Sequence, residues 1–203
     1  MKKNKISKNW IKKQHKDFYV KKSKIEGYRS RSAFKLIEID NKFKLFKNRK
    51  NFLDLGAAPG GWTQVATEKI KYGKILSVDK ISMYPINNYR FILGDFNNQN
   101  TRKSIINYFK TKIDIIVSDM AENTTGNKNL DSFNTGKLCL NAMEFSKDYL
   151  KNEGVFVSKI FMGSIFKEIY EDAKKIFKFV KVYKPLASRK ESKENYIICK
   201  NLK

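Results

Sequence analysis

Histidine and cysteine are nearly missing from this chain. Its 203 residues include one histidine, His15, and two cysteines, Cys139 and Cys199. That leaves no basis for a zinc site, and no useful imidazole for a Ser–His or Cys–His mechanism, because His15 sits in a lysine-rich stretch. Both cysteines lie in apolar contexts without metal-ligand spacing, so they are expected to be buried and reduced, as in a cytoplasmic protein. Long apolar runs are missing too. None exceeds four residues ("YIIC", 196–199), which excludes a membrane-spanning helix. The basic N-terminus is followed by no apolar stretch of the kind a secretory signal requires. Acidic side chains are the third shortage: 20 Asp and Glu face 43 Lys and Arg, for a formal net charge of +23, and only six of those cations are arginine.

An excess of this size points to a polyanionic partner, most directly nucleic acid. Lysine together with abundant Asn and Ile is also what a compositionally biased genome writes, so position matters more than the sum. The excess is uneven: residues 1–31 hold twelve Lys or Arg against Asp17 and Glu26, a net of +10. Trp10, Tyr19 and Tyr28 are interleaved with them, which suits stacking on unpaired bases as well as phosphate contact. Residues 1–28 show no clean period and read as a basic arm, helical in part at most. Residues 29–203 read as one domain, large enough for a full core and free of internal repeats.

Within that domain strands and helices alternate. "RSAFKLIEIDNKFKLF" (31–46) is helical, with Ser30 or Ser32 as N-cap. The strand "NFLDL" (51–55) runs into a small-residue corner and a helix, "WTQVATEKIKY" (62–72), with Gly73 as its C-cap. "KILSVDK" (74–80) ends a strand near Asp79, "YRFILGD" (89–95) at Asp95, and "KIDIIVSDM" (112–120) at Asp119. A helix is expected over 99–110 and another over 131–151, followed by the strand "GVFVSKIF" (154–161) carrying Lys159. A helix over 166–177 precedes two last strands, joined by "PLASRKESK" (185–193), a loop too short for a helical crossover. The expected fold is therefore α/β: a mostly parallel, Rossmann-like sheet covered on both faces, with an antiparallel last strand.

Ligands of such sheets bind at the carboxyl ends of the strands, and Asp79, Asp95, Asp119 and Lys159 all fall there. A single strand-end carboxylate is usually just solvated; four polar groups on consecutive strands form a pattern. The corner Gly56-Ala57-Ala58-Pro59-Gly60-Gly61 narrows the ligand. Ala58 replaces the glycine that lets backbone approach a pyrophosphate in G-x-G-x-x-G, and Pro59 removes a donor from the turn. A nucleoside without phosphates fits better. Asp79, 23 residues beyond Gly56, suits ribose hydroxyls, Asp95 could accept from an adenine amino group, and S-adenosylmethionine satisfies both.

With these motifs in place the chain resembles the FtsJ/RrmJ-type ribosomal RNA methyltransferases. The likeness runs from "YRSRSAFKL" (28–36) to "SRKESKENYII" (188–198) through "DLGAAPGGW", "GDF", "SDMA" and Ser158-Lys159. It implies a seven-stranded S-adenosylmethionine-dependent fold and 2′-O-methylation of a uridine in the A-loop of 23S rRNA. By the same resemblance the protein acts in the cytoplasm on the 50S subunit as a monomer. The family's Lys-Asp-Lys-Glu tetrad falls on Lys35, Asp119, Lys159 and Glu194, and its cofactor contacts on Gly60, Trp62, Asp79, Asp95 and Asp119. One departure is visible: Glu122 follows "SDMA" where the bacterial pattern has proline, within the 120–130 loop.

The chemistry asks for a base near the methyl donor, because a ribose hydroxyl is a poor nucleophile. A free lysine titrates near pH 10.4, so working near neutrality needs a shift of about 3 units, or roughly 4 kcal/mol. Burial and the second lysine push that way, while Asp119 and Glu194 push back; Lys159 is either a true base or an orienting group. Three other readings stand beside rRNA methylation. The same chemistry on tRNA is the near one. A nicotinamide oxidoreductase conflicts with the altered glycine corner, and a non-catalytic RNA-binding factor conflicts with the intact tetrad.

Overall fold

The computed structural model describes residues 17–122 and 125–203. Helix α1 (Phe18–Ile25) is capped by Asp17, whose carboxylate accepts from the N–H groups of Tyr19 and Val20. Helix α2 (Ser32–Phe43) buries Ala33, Phe34, Leu36 and Ile39 along one stripe and ends at Lys44 in a left-handed conformation. The α/β alternation then begins: β1 (Asn51–Leu55), α3 (Gly61–Lys69), β2 (Lys74–Asp79), β3 (Arg90–Leu93), α4 (Gln99–Phe109) and β4 (Ile113–Ser118). It continues through α5 (Lys128–Tyr149), β5 (Leu150–Phe161), α6 (Phe166–Ile176), β6 (Phe177–Tyr183) and β7 (Glu194–Leu202).

The seven strands form one sheet in the order β3-β2-β1-β4-β5-β7-β6. The first five are parallel, and β7 runs antiparallel to both β5 and β6, as its short connection requires. β4 is buried along its whole length and β1 along all but its first residue, as parallel strands covered on both faces must be. One face packs Leu53, Leu76 and Phe156 against Ile105 of α4, Phe145 of α5 and Ile169 of α6. The other packs Phe52, Ile75 and Val157 against Leu36 of α2 and Val65 of α3. The consecutive β5 residues Phe156 and Val157 enter opposite cores, the period-two pattern of a strand. Strand order reverses direction between β1 and β4, which opens a crevice at their carboxyl ends.

Several local expectations are corrected. Gly73 does not cap α3, which ends at Lys69 with Ile70 following in extended backbone. A Cβ on Gly73 would instead collide with the Lys50 carbonyl, where β2 enters the sheet beside β1. Neither Ser30 nor Ser32 caps α2; their hydroxyls bond to each other at 2.5 Å. β5 starts four residues before Gly154, because Leu150 pairs with Ile113 ahead of an irregular stretch of ladder.

The aromatic residues of the arm also face differently from the stacking expectation. Tyr19 packs on Phe34 and its hydroxyl donates to Glu38 at 3.3 Å. Tyr28 packs on the same ring and donates to Glu68 at 2.8 Å, and burial with that carboxylate pushes its hydroxyl up to about 12. Trp10 and the lysines of residues 1–16 lie outside the described residues.

Candidate active site

At the end of β1 the chain turns at Gly56 (φ 76°), where a Cβ would stand 2.7–2.9 Å from Met120. Only glycine combines that φ with so close an approach. The N–H groups of Gly56 and Ala57 both donate to the Val78 carbonyl (2.9 and 3.2 Å), which seats the turn between β1 and β2. Asp79, at the end of β2, accepts from Ala58 N–H (2.8 Å) with one carboxylate oxygen and from Ile81 N–H (2.8 Å) with the other. Asp95 lies two residues past β3. It accepts from Asn97 N–H at 2.8 Å and meets the Lys80 ammonium at 3.1 Å. Burial acts to raise its pKa, but those two donors hold it below the ordinary value.

A cavity of 440 Å³ opens over these strand ends, lined by Gly56, Ala58, Asp79, Asp95, Asp119 and Glu122, among others. Gly60 and Trp62 are not among its lining residues. Gly60 lies under Arg29, whose guanidinium donates to the carbonyls of Pro59 (3.3 Å), Tyr84 (2.5 Å) and Pro85 (2.6 Å) and so pins the β2–β3 loop to the turn. Trp62 is buried; its indole N–H donates to Ser32 O at 2.8 Å and its ring packs 5.6 Å from that of Tyr196. A larger hollow of 740 Å³, lined by residues such as Glu144, Asn152 and Lys203, sits at the opposite end of the strands. It gathers none of the strand-end groups, so size does not identify the site here; the convergence of polar groups does.

Asp119 stands where the cavity meets a second cluster. Its backbone N–H bonds Leu55 O at 3.1 Å, which locks the end of β4 to the end of β1. The Lys159 ammonium lies 3.0 Å from the Asp119 carboxylate and 2.9 Å from the Asp119 carbonyl oxygen. On the far side, Lys35 from α2 sits 2.7 Å from Glu194 at the start of β7. All four tetrad residues are thus brought to one place. Burial pushes the Asp119 carboxyl up, but the charges of Lys159 and Lys35, with hydrogen bonds from Lys159 and Tyr196, hold it below its ordinary value.

Tyr196 joins the two pairs and was not singled out from the sequence. Its hydroxyl donates to Asp119 at 2.9 Å and accepts from Lys35 at 3.3 Å. Burial, then Asp119 and Glu194, raise its pKa well above the usual value, which keeps it a neutral donor. The signal for it was available: Tyr196 is two residues beyond Glu194, on the same face of the last strand, and it pairs directly with Lys159 across the β5–β7 ladder.

The family description "FtsJ-like methyltransferase" matches residues 28–202. The chain belongs to this family. It is 55% identical over 203 residues, the whole of both chains, to the ribosomal RNA large subunit methyltransferase E of Pelagibacter ubique. It is also similar to the crystal structure of a Plasmodium falciparum protein assigned as a ribosomal RNA methyltransferase. That likeness has a TM-score of 0.79 and 37% identity, over 86% of this chain and 98% of that one. Human methyltransferase-like protein 13 in complex with SAH shares the fold at a TM-score of 0.60 and 14% identity, over 83% of this chain and 79% of that one. The FtsJ-like chain has, among its described residues, no helix long and apolar enough to cross a membrane.

Proposed function

We propose that this chain transfers a methyl group from S-adenosylmethionine to the 2′-hydroxyl of a uridine in the A-loop of large-subunit ribosomal RNA, acting on the 50S subunit as a monomer in the cytoplasm. The observation that carries this reading is the sign of the cavity. In a chain of net +23, its charged lining is Asp79, Asp95, Asp119 and Glu122 against Lys80. Such a lining suits a ligand that donates hydrogen bonds and carries positive charge, and repels a pyrophosphate. S-adenosylmethionine meets both conditions, and when bound it would supply a methyl group on a positively charged sulfur. Asp79 would hold the ribose hydroxyls with the lone pairs its two backbone donors leave free, and Asp95 the adenine amino group. Gly60 and Trp62 would contribute by shaping the turn and bracing Tyr196.

Lys159, Asp119, Lys35 and Glu194 then act on the RNA. Two of the three substituent positions around the Lys159 nitrogen are taken by the Asp119 carboxylate and carbonyl, which leaves one for the substrate. Through it Lys159, acting as the neutral amine once its own extra proton has gone to solvent, would orient the 2′-oxygen and take its proton onto Nζ, while the methyl group would pass to that oxygen and the carbon–sulfur bonding pair would return to sulfur, leaving a neutral thioether. Asp119 fixes the amine, and Lys35, held by Glu194 and Tyr196, adds the second positive charge beside the developing oxyanion. The names of the curated relatives support large-subunit RNA as substrate; the resemblance in the tetrad motifs supports the ribose hydroxyl.

The test is tritium transfer from labelled S-adenosylmethionine to 50S subunits, with isolated tRNA alongside, followed by mapping of the modified nucleotide. Label on a 2′-O-methyluridine of the large-subunit RNA is the expected result. Label on a base, or on tRNA in preference to subunits, would overturn the assignment.

A further inference from the structure

The outer face of α1 and the loop between β6 and β7 form one corner, held by two carboxylates. Asp17 receives the guanidinium of Arg31 and Nε of Arg189 (3.3 Å), while Arg31 also donates to Ala187 O. Glu38 accepts from the N–H groups of Leu186 (2.6 Å) and Ala187 (3.0 Å), and from Tyr19 Oη. The inner face of α1 is spent on Phe34, yet Phe18 is left 68% exposed and Leu186, on the neighbouring loop, 81% exposed. Lys21 and Lys190 are also exposed, and neither has an acidic partner among the described residues. One exposed apolar residue needs no explanation, but an aromatic and a leucine framed by unpaired cations make a surface with a definite chemistry. It is also continuous with the tetrad: Ser188, two residues past Leu186, donates to Glu194 at 2.8 Å.

We infer that Phe18 and Leu186, with Lys21 and Lys190, dock a single-stranded stretch of the substrate RNA that flanks the target nucleotide. A base stacks on the Phe18 ring, and the two lysines meet phosphates. This rests on the RNA methyltransferase reading above. RNA is favoured over a protein or lipid surface because the exposed apolar residues are few, the exposed charge without a partner among the described residues is mostly positive (Lys21, Lys190 and Lys193 against Glu191), and the β6–β7 loop leads directly to Glu194.

Two measurements on the full chain test the inference. The first is anisotropy titration of a fluorescein-labelled twelve-residue oligouridylate across several salt concentrations. Phe18→Ala should weaken binding about tenfold, as loss of one stacked base does, without changing the slope of log affinity against log salt, and Phe18→Trp should restore it. Lys21→Gln should lower the slope by about 0.7, the counterion share of one single-strand phosphate. The second is steady-state methylation of 50S subunits, in which Phe18→Ala should raise KM for subunits and leave kcat and KM for S-adenosylmethionine unchanged. Equal oligouridylate affinity for Phe18→Ala and the unaltered chain would overturn the docking assignment. If in addition KM for subunits rose, the surface would be assigned to a ribosomal protein. If the unaltered chain bound oligouridylate as described but transferred no methyl group to subunits, the methyltransferase reading would fail while the RNA surface stood.

Discussion

Asp54 sits fully buried in β1, two residues before Gly56, and it gives the protein a pH dependence that can be worked out from its surroundings. One carboxylate oxygen accepts from the Thr63 hydroxyl at 2.8 Å; the other has no hydrogen-bond partner among the described residues. Burial pushes its pKa from 3.8 up to about 7, with Thr63 pulling down and the charges of Asp119 and Asp79 pushing further up. Between those two values the folded chain keeps a proton that the unfolded chain has lost. Stability must therefore fall as pH rises through that window and level off above the upper value. A shift of about 3 units corresponds to roughly 4 kcal/mol, of which about 2 kcal/mol falls between pH 5 and 7. Asp54→Asn removes the titration while keeping an oxygen for Thr63. Urea unfolding of both proteins from pH 5 to 8 isolates the effect, since every other group is common to the two curves. The difference should move in favour of the Asn variant by a few kcal/mol as pH rises, and parallel curves would refute the reasoning. A cationic ligand in the cavity favours the ionised form, so S-adenosylmethionine affinity should rise between pH 6 and 8 more in the unaltered protein than in Asp54→Asn.

Lys159→Ala should reduce methyl transfer by about two orders of magnitude or more in single-turnover assays, with calorimetric affinity for S-adenosylmethionine nearly unchanged, since its proposed role begins after binding. Asp79→Ala should weaken that affinity about tenfold or more, because the variant also strands the Ala58 and Ile81 N–H groups; an unchanged dissociation constant would remove Asp79 from the site. Tyr196→Phe should lower kcat by less than Lys159→Ala does and leave KM for S-adenosylmethionine alone, because it removes one donor from Asp119 but neither lysine. Removing residues 1–16 takes away seven lysines and should flatten the salt dependence of subunit binding at constant kcat, by about 0.7 to 0.9 for each phosphate those lysines neutralise; identical slopes in filter binding would show that the charge of residues 1–16 is idle.

Much of the site was legible because backbone geometry alone carries it. Parallel strands deliver their carboxyl ends to one edge, so Asp79, Asp95, Asp119 and Lys159 could be gathered from strand ends without knowing how any side chain packs. The short link before the last strand likewise forced β7 to run antiparallel, and that reversal carries Glu194 and Tyr196 back to the cavity end beside Lys159. What stayed hidden depends on tertiary choice. Gly73 reads as a helix cap until Lys50 is seen against it, and Tyr19 and Tyr28 read as base-stacking residues until Phe34, Glu38 and Glu68 are seen to hold them. In a chain with 43 cations, an exposed lysine says little by itself.

The sign of the charge on each surface says more than the total. The chain is strongly basic, yet the cavity at its strand ends sets four carboxylates against one lysine, while the tetrad beside it pairs two lysines with two acids. Asp119 belongs to both. As a cavity wall it favours a cationic ligand; as the partner of Lys159 it holds the amine proposed to face the substrate. Removing it would unbalance both at once, so Asp119→Asn should damage cofactor affinity and transfer rate together. Lys159→Ala and Asp79→Ala should separate those losses, one in rate and one in affinity. That contrast places Asp119 between the two partners of the reaction more directly than either single variant could.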